Sequence, residues 1–429
     1  MIAQSVLPFK LASTEERLTA QGGLVLFGEF CRALGLEKWL DRELPRPGSG
    51  AGYAPSIHAL SVILTLHGGG RSLEDVRTLR ADGGLLALLG LEGLPSSDAL
   101  GDWLRRTGQG EGLAGLGGVN RRLLHRALGK GKRHAHTLDI DATQIVAEKR
   151  AAKRTYKGEV GYMPMVGHLA ETGLIVGEDF REGNAAPAAG NLEFIRHCEA
   201  QLPAGHRIGA LRADSAAYQA AIINHCEANN KTFAIGAAHD VAVQAAIAAI
   251  PESDWAPWRD GEIARTVHTM NETHKAFRLV VVRRARQAEL FDETGERYRY
   301  TAVASNRKED AAATMTFYCQ RGEASENRLK ELKVGFGLER MPCGQFTANA
   351  AFFRLGALAY NLYKVFVRWA LAKEWRRHQV QTVRWRLYQT AAKIVRHAGG
   401  VYLKVSAQAL ALFAAIRRRC WKLATEPIA

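Results

Sequence analysis

Two aspartates stand at the ends of runs that read as strands. Asp141 lies in Leu138-Asp139-Ile140-Asp141-Ala142-Thr143, and Asp214 in Leu211-Arg212-Ala213-Asp214-Ser215. A carboxylate at a strand end in an otherwise apolar sheet is costly unless it meets a cation. Hard oxygen ligands of this kind suit Mg²⁺ or Mn²⁺. A third carboxylate on a later helix would complete a site for two ions about 4 Å apart, which can activate an attacking hydroxyl and stabilise the leaving oxygen of a phosphodiester. One aspartate alone would read as a cap or an ion-pair partner, and the pair shifts the reading to metal. Strand alternation puts Asp139, Asp141 and Thr143 on one face. Either aspartate could be the first ligand, and Asp141 is preferred because it is nearer the strand end.

The elements that would hold these acids follow from periodicity. HTLDIDATQIVAEK alternates and is rich in strand formers, and GYMPMVGHLAE and GLIVGEDFREG read as a hairpin around Thr172-Gly173. The spacing then predicts a helix through NLEFIRHCEAQL, a strand in HRIGALRADS, a helix in AAYQAAIINHCEAN and a short strand in KTFAIGAA. Three antiparallel strands followed by helix–strand alternation predict a ribonuclease H-like α/β core. Residues 131–237 form its first part, and a β-rich insertion interrupts it over 238–316. A polar helix, FYCQRGEASENRLKELKVG, spans 317–335 within a second core segment, 317–350.

The flanks read as helical. Residues 1–130 show amphipathic runs broken by Gly and Pro, with Ser56, Ser72 and Ser96 or Ser97 as expected N-caps, and suit DNA binding or dimerisation. Residues 351–429 form a basic helical region. They carry 15 basic and 2 acidic side chains, so most of the net charge of +15 sits in the last 79 of the 429 residues. Trp369, Trp375, Trp385 and Trp421 lie among those charges, at helical spacing, and read as core. The one-signed charge reads as a surface for a DNA backbone, held by counterion release.

Other chemistries are poorly served. The six cysteines form no CxxC, which argues against zinc and for free thiols in a reducing compartment. Gly68-Gly69-Gly70 lacks the Lys-Ser/Thr of a phosphate loop, so ATP is not expected. The N-terminus has no signal-peptide pattern, and Arg354, Lys364 and Arg368 interrupt the most apolar stretch. A cytoplasmic, nucleoid-associated protein with no membrane contact is expected.

The order of these blocks resembles a DDE transposase of the IS4 superfamily, and more closely its IS1380 family. LDIDAT matches the first acidic element and LRADS the second. The most specific block is Tyr318-Cys319-Gln320-Arg321-Gly322-Glu323-Ala324-Ser325-Glu326-Asn327-Arg328-Leu329-Lys330-Glu331-Leu332-Lys333. It is similar to the superfamily's Tyr, two residues, Arg, three residues, Glu, six residues, Lys, and FGLERMPCGQFTANAAFFRLGALAYNLYKV resembles the usual continuation. Four residues separate Arg321 from Glu326 instead of three. Glu326 keeps the gap to Lys333 and is carried over as the third ligand, with Glu323 as the alternative. One extra residue turns Tyr318 and Arg321 about 100° from Glu326 unless the helix begins at or after Gly322, or bulges.

The resemblance implies a transposase that binds the terminal inverted repeats of its own element, as a homodimer pairing two ends. Asp141 would bridge two Mg²⁺ or Mn²⁺ ions, with Asp214 on one and Glu326 on the other. Double-stranded DNA would be nicked, and the freed 3′-OH would attack target DNA in cut-and-paste movement. Arg321 and Lys333 would contact phosphate near the cut, and Tyr318 would position a phosphate or pack at the helix start. Trp255 and Trp258 are candidates for stacking on a flipped base, or for packing in the insertion.

Overall fold

The computed structural model describes residues 7, 10–46, 48, 52–129, 134–285 and 297–426. The chain forms two compact units, one from Met1–Trp103 and Val365–Pro427, the other from Leu104–Lys364.

The second unit is built on a nine-stranded mixed sheet. Its strands are β1 (His134–Ala142), β2 (Met165–Leu169), β3 (Ile175–Asp179), β4 (His206–Ala213), β5 (Thr232–Gly236), β6 (Ala256–Trp258), β7 (Gly261–His268), β8 (Phe277–Ala285) and β9 (Tyr298–Ser305). Across the sheet the order is β6-β7-β8-β9-β5-β4-β1-β2-β3. β1, β2 and β3 are antiparallel neighbours, with Gly173 at φ 72° in the turn between β2 and β3. β4 and β5 run parallel to β1, reached through α1 (Asn191–Ala200) and α2 (Ala220–Ala228). This is the mixed α/β arrangement that the alternation of strand and helix patterns predicts. The β-rich segment 238–316 adds its strands to the edge of the same sheet, because β9 pairs antiparallel with β5. It also carries a short helix, α3 (Val241–Ala248).

The helix expected over 317–335 begins earlier. α4 (Ala311–Lys330) starts at Asp310, whose carboxylate accepts from the Ala313 N–H at 2.6 Å. That is an ordinary N-cap. Its first turns close over a cluster of Ala234, Ile263, Val280, Val282, Val303 and Met315, with Trp258, Phe317 and Tyr318 packed against it. α4 runs on through Gly322 without a break and ends in one π turn over Glu331–Gly335.

Helix Gly112–Leu128 belongs to this unit, although it lies before residue 130. Buried asparagines explain the attachment. Asn361 Nδ2 donates to Asn120 Oδ1 at 2.7 Å and to the Ile175 carbonyl at 2.8 Å, and its Oδ1 accepts from the Ile175 N–H. A buried, fully partnered amide network of this kind fixes position as well as burial does.

In the first unit, helix Leu24–Leu34 packs on helix Ala407–Thr425. Phe27 stacks on His67 with centroids 3.6 Å apart and meets Phe366 edge-on. Helix Pro55–Gly68 begins at Pro55, so Ser56 is not its cap; the Ser56 N–H donates to Asp41 instead. Ser96 caps the helix Ser97–Gln109 by accepting from the Ala99 N–H. Arg384 is buried and donates to the Leu66 and His67 carbonyls, which satisfies the end of Pro55–Gly68.

Two expectations fail in this unit. The basic tail is not all helix: Ala392–His397 and Gly400–Lys404 pair as a hairpin, joined by Arg17–Thr19. The alternation in AKIVRH and the turn at Ala398-Gly399, both at positive φ, specify strands despite the basic composition. Nor are all four tryptophans core. Trp375 is buried and Trp369 half-buried, but Trp385 and Trp421 are 78% and 71% exposed. Helix Ala407–Thr425 turns Phe413, Ile416 and Cys420 inward, and Trp421 falls one residue beyond that stripe.

Candidate active site

β1 and β4 are parallel neighbours, so both strands leave the sheet at the same edge. Asp141 lies at that end of β1, and Asp214 follows directly after β4. The C-terminal edge of parallel strands is where open α/β sheets place ligands. Asp214 Oδ1 accepts from the Ala216 N–H at 3.1 Å, in the short turn Ser215–Ala217. Its Oδ2 is left to face α4.

The same two-residue period carries a second pair deeper in the sheet. Asp139 lies opposite Arg212 in the β1–β4 register. Both carboxylate oxygens of Asp139 are held by Arg212, at 2.6 and 2.8 Å, and neither side chain is more than 3% exposed. His168 Nε2 stands 3.5 Å and Arg328 Nη1 3.9 Å from the same carboxylate. Burial, then Arg328 and Arg212, drive the His168 pKa well below its ordinary value, so it remains neutral beside this pair. Asp139 is thus fully occupied as an ion-pair partner, and of the two acids on β1 only Asp141 faces the sheet edge.

α4 lies across this face. Arg212 also donates to the Phe317 carbonyl at 2.9 Å and to Gln320 Oε1 at 3.3 Å. Arg328 donates to the Ala170 carbonyl at 2.6 Å. These contacts tie the helix to β4 and to the end of β2. They aim Arg321 at the acid pair, with Nη2 at 3.2 Å from Asp141 Oδ2 and 3.9 Å from Asp214 Oδ2. The two carboxylates therefore converge on one cationic group.

Tyr318 lies one turn earlier. A Cβ on Gly236 would come within 2.8 Å of its hydroxyl, so any larger residue there would have to push the Tyr318 ring aside. Burial is the main cause that raises the Tyr318 pKa. Lys333 Nζ donates to the Gln144 carbonyl at 2.9 Å, just beyond β1, and burial lowers its pKa. Trp255 and Trp258 are half-buried under Arg283 and Arg259, 4.3 and 4.4 Å from their ring centres.

Glu326 is exposed on α4 and does not join the pair, and among the described residues no three His, Cys, Asp or Glu side chains gather as a metal site. The side chain of Glu323 lies outside the described ones. The helix shows why Glu326 is displaced. At about 100° per residue, position 325 falls within about 40° of Arg321, but Glu326 falls about 140° away. The one-residue excess is taken up only after Glu326, in the π turn Glu331–Gly335. That turn returns Lys333, twelve residues after Arg321, to the side facing β1.

Asp141 and Asp214 fit a divalent ion. They are hard oxygen donors, and their Oδ2 atoms already share a cation. Sequence reasoning missed Arg212, Arg328 and His168. The signal for Arg212 was available, since it precedes Asp214 by two residues as Asp139 precedes Asp141.

No curated protein matches the chain. Among solved structures, a piggyBac transposase synaptic complex with hairpin DNA, studied by cryo-EM, is similar at a TM-score of 0.48 and 11% identity, over 96% of this chain and 85% of that one. The family model described as Transposase DDE domain group 1 matches residues 6–420. With a match that spans both acidic strand ends, α4 and nearly all of the two units, the protein belongs to the Transposase DDE domain group 1 family.

Proposed function

We propose that the protein binds the terminal inverted repeats of its own element and catalyses strand cleavage and strand transfer, as a member of the IS1380 group of the IS4 superfamily. The observation that carries this reading is the convergence of Asp141 and Asp214 on one cation at the shared end of two parallel strands. Such a pair concentrates negative charge where a cation, and the phosphate it accompanies, can enter from solvent.

In this reading Asp141 and Asp214 hold Mg²⁺ or Mn²⁺, and Glu326 is the candidate for the third ligand of a two-ion site. Divalent ions bound there supply a deprotonated attacking hydroxyl and charge neutralisation at the leaving oxygen. Arg321 and Lys333 flank β1 and would orient a DNA phosphate; an arginine fork suits phosphate oxygens. Tyr318 would set the depth of that phosphate above Gly236. The basic tail and its exposed tryptophans would hold flanking duplex, and two chains would pair two ends.

The test is the purified chain with labelled duplex ends in Mg²⁺. Cleaved ends joined to target DNA support the reading, and alanine at Asp141 or Asp214 should abolish both steps. Cleavage without joining would make it a ribonuclease H-like nuclease. A second reading, a catalytically inactive DNA-binding regulator, is favoured by the exposed Glu326. DNA binding with no cleavage under any divalent ion would establish that reading instead.

A further inference from the structure

Arg212 and Arg321 are held very differently on this face of the sheet. Arg212 is closed on both oxygens of Asp139 and has further acceptors on α4. Arg321 has no such fit. Among the described residues its shortest carboxylate contact is 3.2 Å, its bond to the Ile140 carbonyl is 3.5 Å, and its buried Nε has no hydrogen-bond partner. A guanidinium with an unsatisfied buried N–H is poorly solvated and poorly bonded, and gains from any ligand that fills its fork. Asp214 beside it is 46% exposed, so the pair is open to solvent.

A divalent ion seated on Asp141 Oδ2 and Asp214 Oδ2 would take the place that Arg321 Nη2 now holds, like charge against like charge. The backbone need not move for an exchange, because Arg212 and Arg328 tie α4 to the sheet through other atoms. Only the Arg321 side chain must leave. A phosphate diester offers it two oxygens in the geometry that a guanidinium prefers.

We propose that Arg321 is the resident counter-ion of Asp141 and Asp214, displaced when a divalent ion binds, and that a DNA phosphate captures the released guanidinium, so that metal loading and DNA binding reinforce each other. This rests on the reading of the acid pair as a metal site. The reinforcement is reciprocal: whatever factor DNA adds to ion affinity, the ion adds to DNA affinity. In the ion-free chain Arg321 thereby offsets one of the two negative charges, and ions load chiefly where DNA is engaged.

The test is Mn²⁺ binding by the full chain, followed by electron paramagnetic resonance, with and without a duplex carrying the DNA that flanks this gene. Asp141→Asn supplies the background from DNA and other sites. In the wild type the duplex should tighten Mn²⁺ about tenfold, within the usual range for coupled sites. Arg321→Gln should bind Mn²⁺ tightly without DNA and show no further gain with it. Arg321→Lys keeps the charge but not the fork, so it should bind Mn²⁺ as weakly as the wild type without DNA and gain less from the duplex. A gain equal to the wild type's would overturn the capture of phosphate by the guanidinium, so the comparison survives if the glutamine variant fails to fold. Equal Mn²⁺ affinity in the wild type and Arg321→Gln, with no effect of DNA, overturns the inference and leaves the metal site standing. No Mn²⁺ above background in either chain overturns the inference and the reading beneath it.

Discussion

Arg212 closes on both carboxylate oxygens of Asp139 across the parallel pairing of β1 and β4, two residues inside the edge where Asp141 and Asp214 converge on Arg321. The two strands thus carry the same chemistry twice, at a spacing of two. The inner pair is acid against base and is satisfied. The outer pair is acid against acid and must borrow its cation from α4 or from solution.

Asp139 and Asp141 should therefore separate cleanly on mutation. Asp139→Asn leaves Arg212 buried without its counter-charge, and should cost about 3–5 kcal/mol in urea unfolding. Asp141→Asn relieves a partly exposed like-charged pair and should change stability by less than about 1 kcal/mol. It should nevertheless remove metal-dependent cleavage. A large stability loss from Asp141→Asn, or none from Asp139→Asn, would reverse the assignment.

His168 gives the fold a pH dependence. Its pKa in the folded chain is well below 6.5, chiefly through burial, whereas the unfolded chain titrates near the ordinary value. Between those values the unfolded state binds more protons, so stability rises with pH. The contribution is complete above about 6.5 and is lost as pH falls below it. Melting temperature should drop between pH 7 and pH 5, and His168→Gln should flatten that part of the curve. An identical slope in the variant would assign the dependence to other groups.

Much of this was legible in the chain before any coordinates. The strand order around Asp141 and Asp214 follows from alternation, and the hairpin turn from Thr172-Gly173. The role of Asp139 was not legible, because alternation places Asp139 and Asp141 on one face and cannot say which meets an arginine; that depends on register with β4. Nor could the sequence show how α4 absorbs its extra residue. Gly322 looked like the place for a break, but helix continuity on both sides of it costs only about 1 kcal/mol for one glycine. The packing of Thr314 and Met315, both buried, extends the helix back to Asp310. Periodicity at Phe413, Ile416 and Cys420 decides that Trp421 stays outside, where composition alone suggested core.

The basic tail should act through charge. Arg418 and Lys422 are exposed on the last helix, beside Trp421. Each that neutralises a phosphate should contribute about 0.9 to the slope of log affinity against log salt. Replacing both by Gln should flatten the slope by up to about twice that amount, measured by fluorescence anisotropy on duplex DNA. Trp421→Ala should change stability by no more than about 0.5 kcal/mol. It should lower affinity without altering the salt slope, since a ring contact releases no counterion. An unchanged slope in the double variant would mean that the tail's charge serves another partner.

The spacing of α4 makes the sharpest prediction. Between Arg321 and Lys333 the helix carries one residue more than the superfamily pattern it resembles, and it takes up the excess after Glu326, in the π turn Glu331–Gly335. Deleting Ala324 would move that glutamate to the position about 40° from Arg321, on the side of Asp141 and Asp214. It would also remove the need for the π turn, because eleven residues return Lys333 to the Arg321 side in a regular helix, within about 20°. The shortened chain should bind Mn²⁺ more tightly than the wild type and cleave labelled ends at least as fast. Its glutamate, changed to Gln in the deletion background, should cancel both gains. If the deletion instead abolishes Mn²⁺ binding while far-UV circular dichroism is unchanged, Glu326 already reaches the pair in solution by another turn of the helix, and the excess residue is absorbed before it.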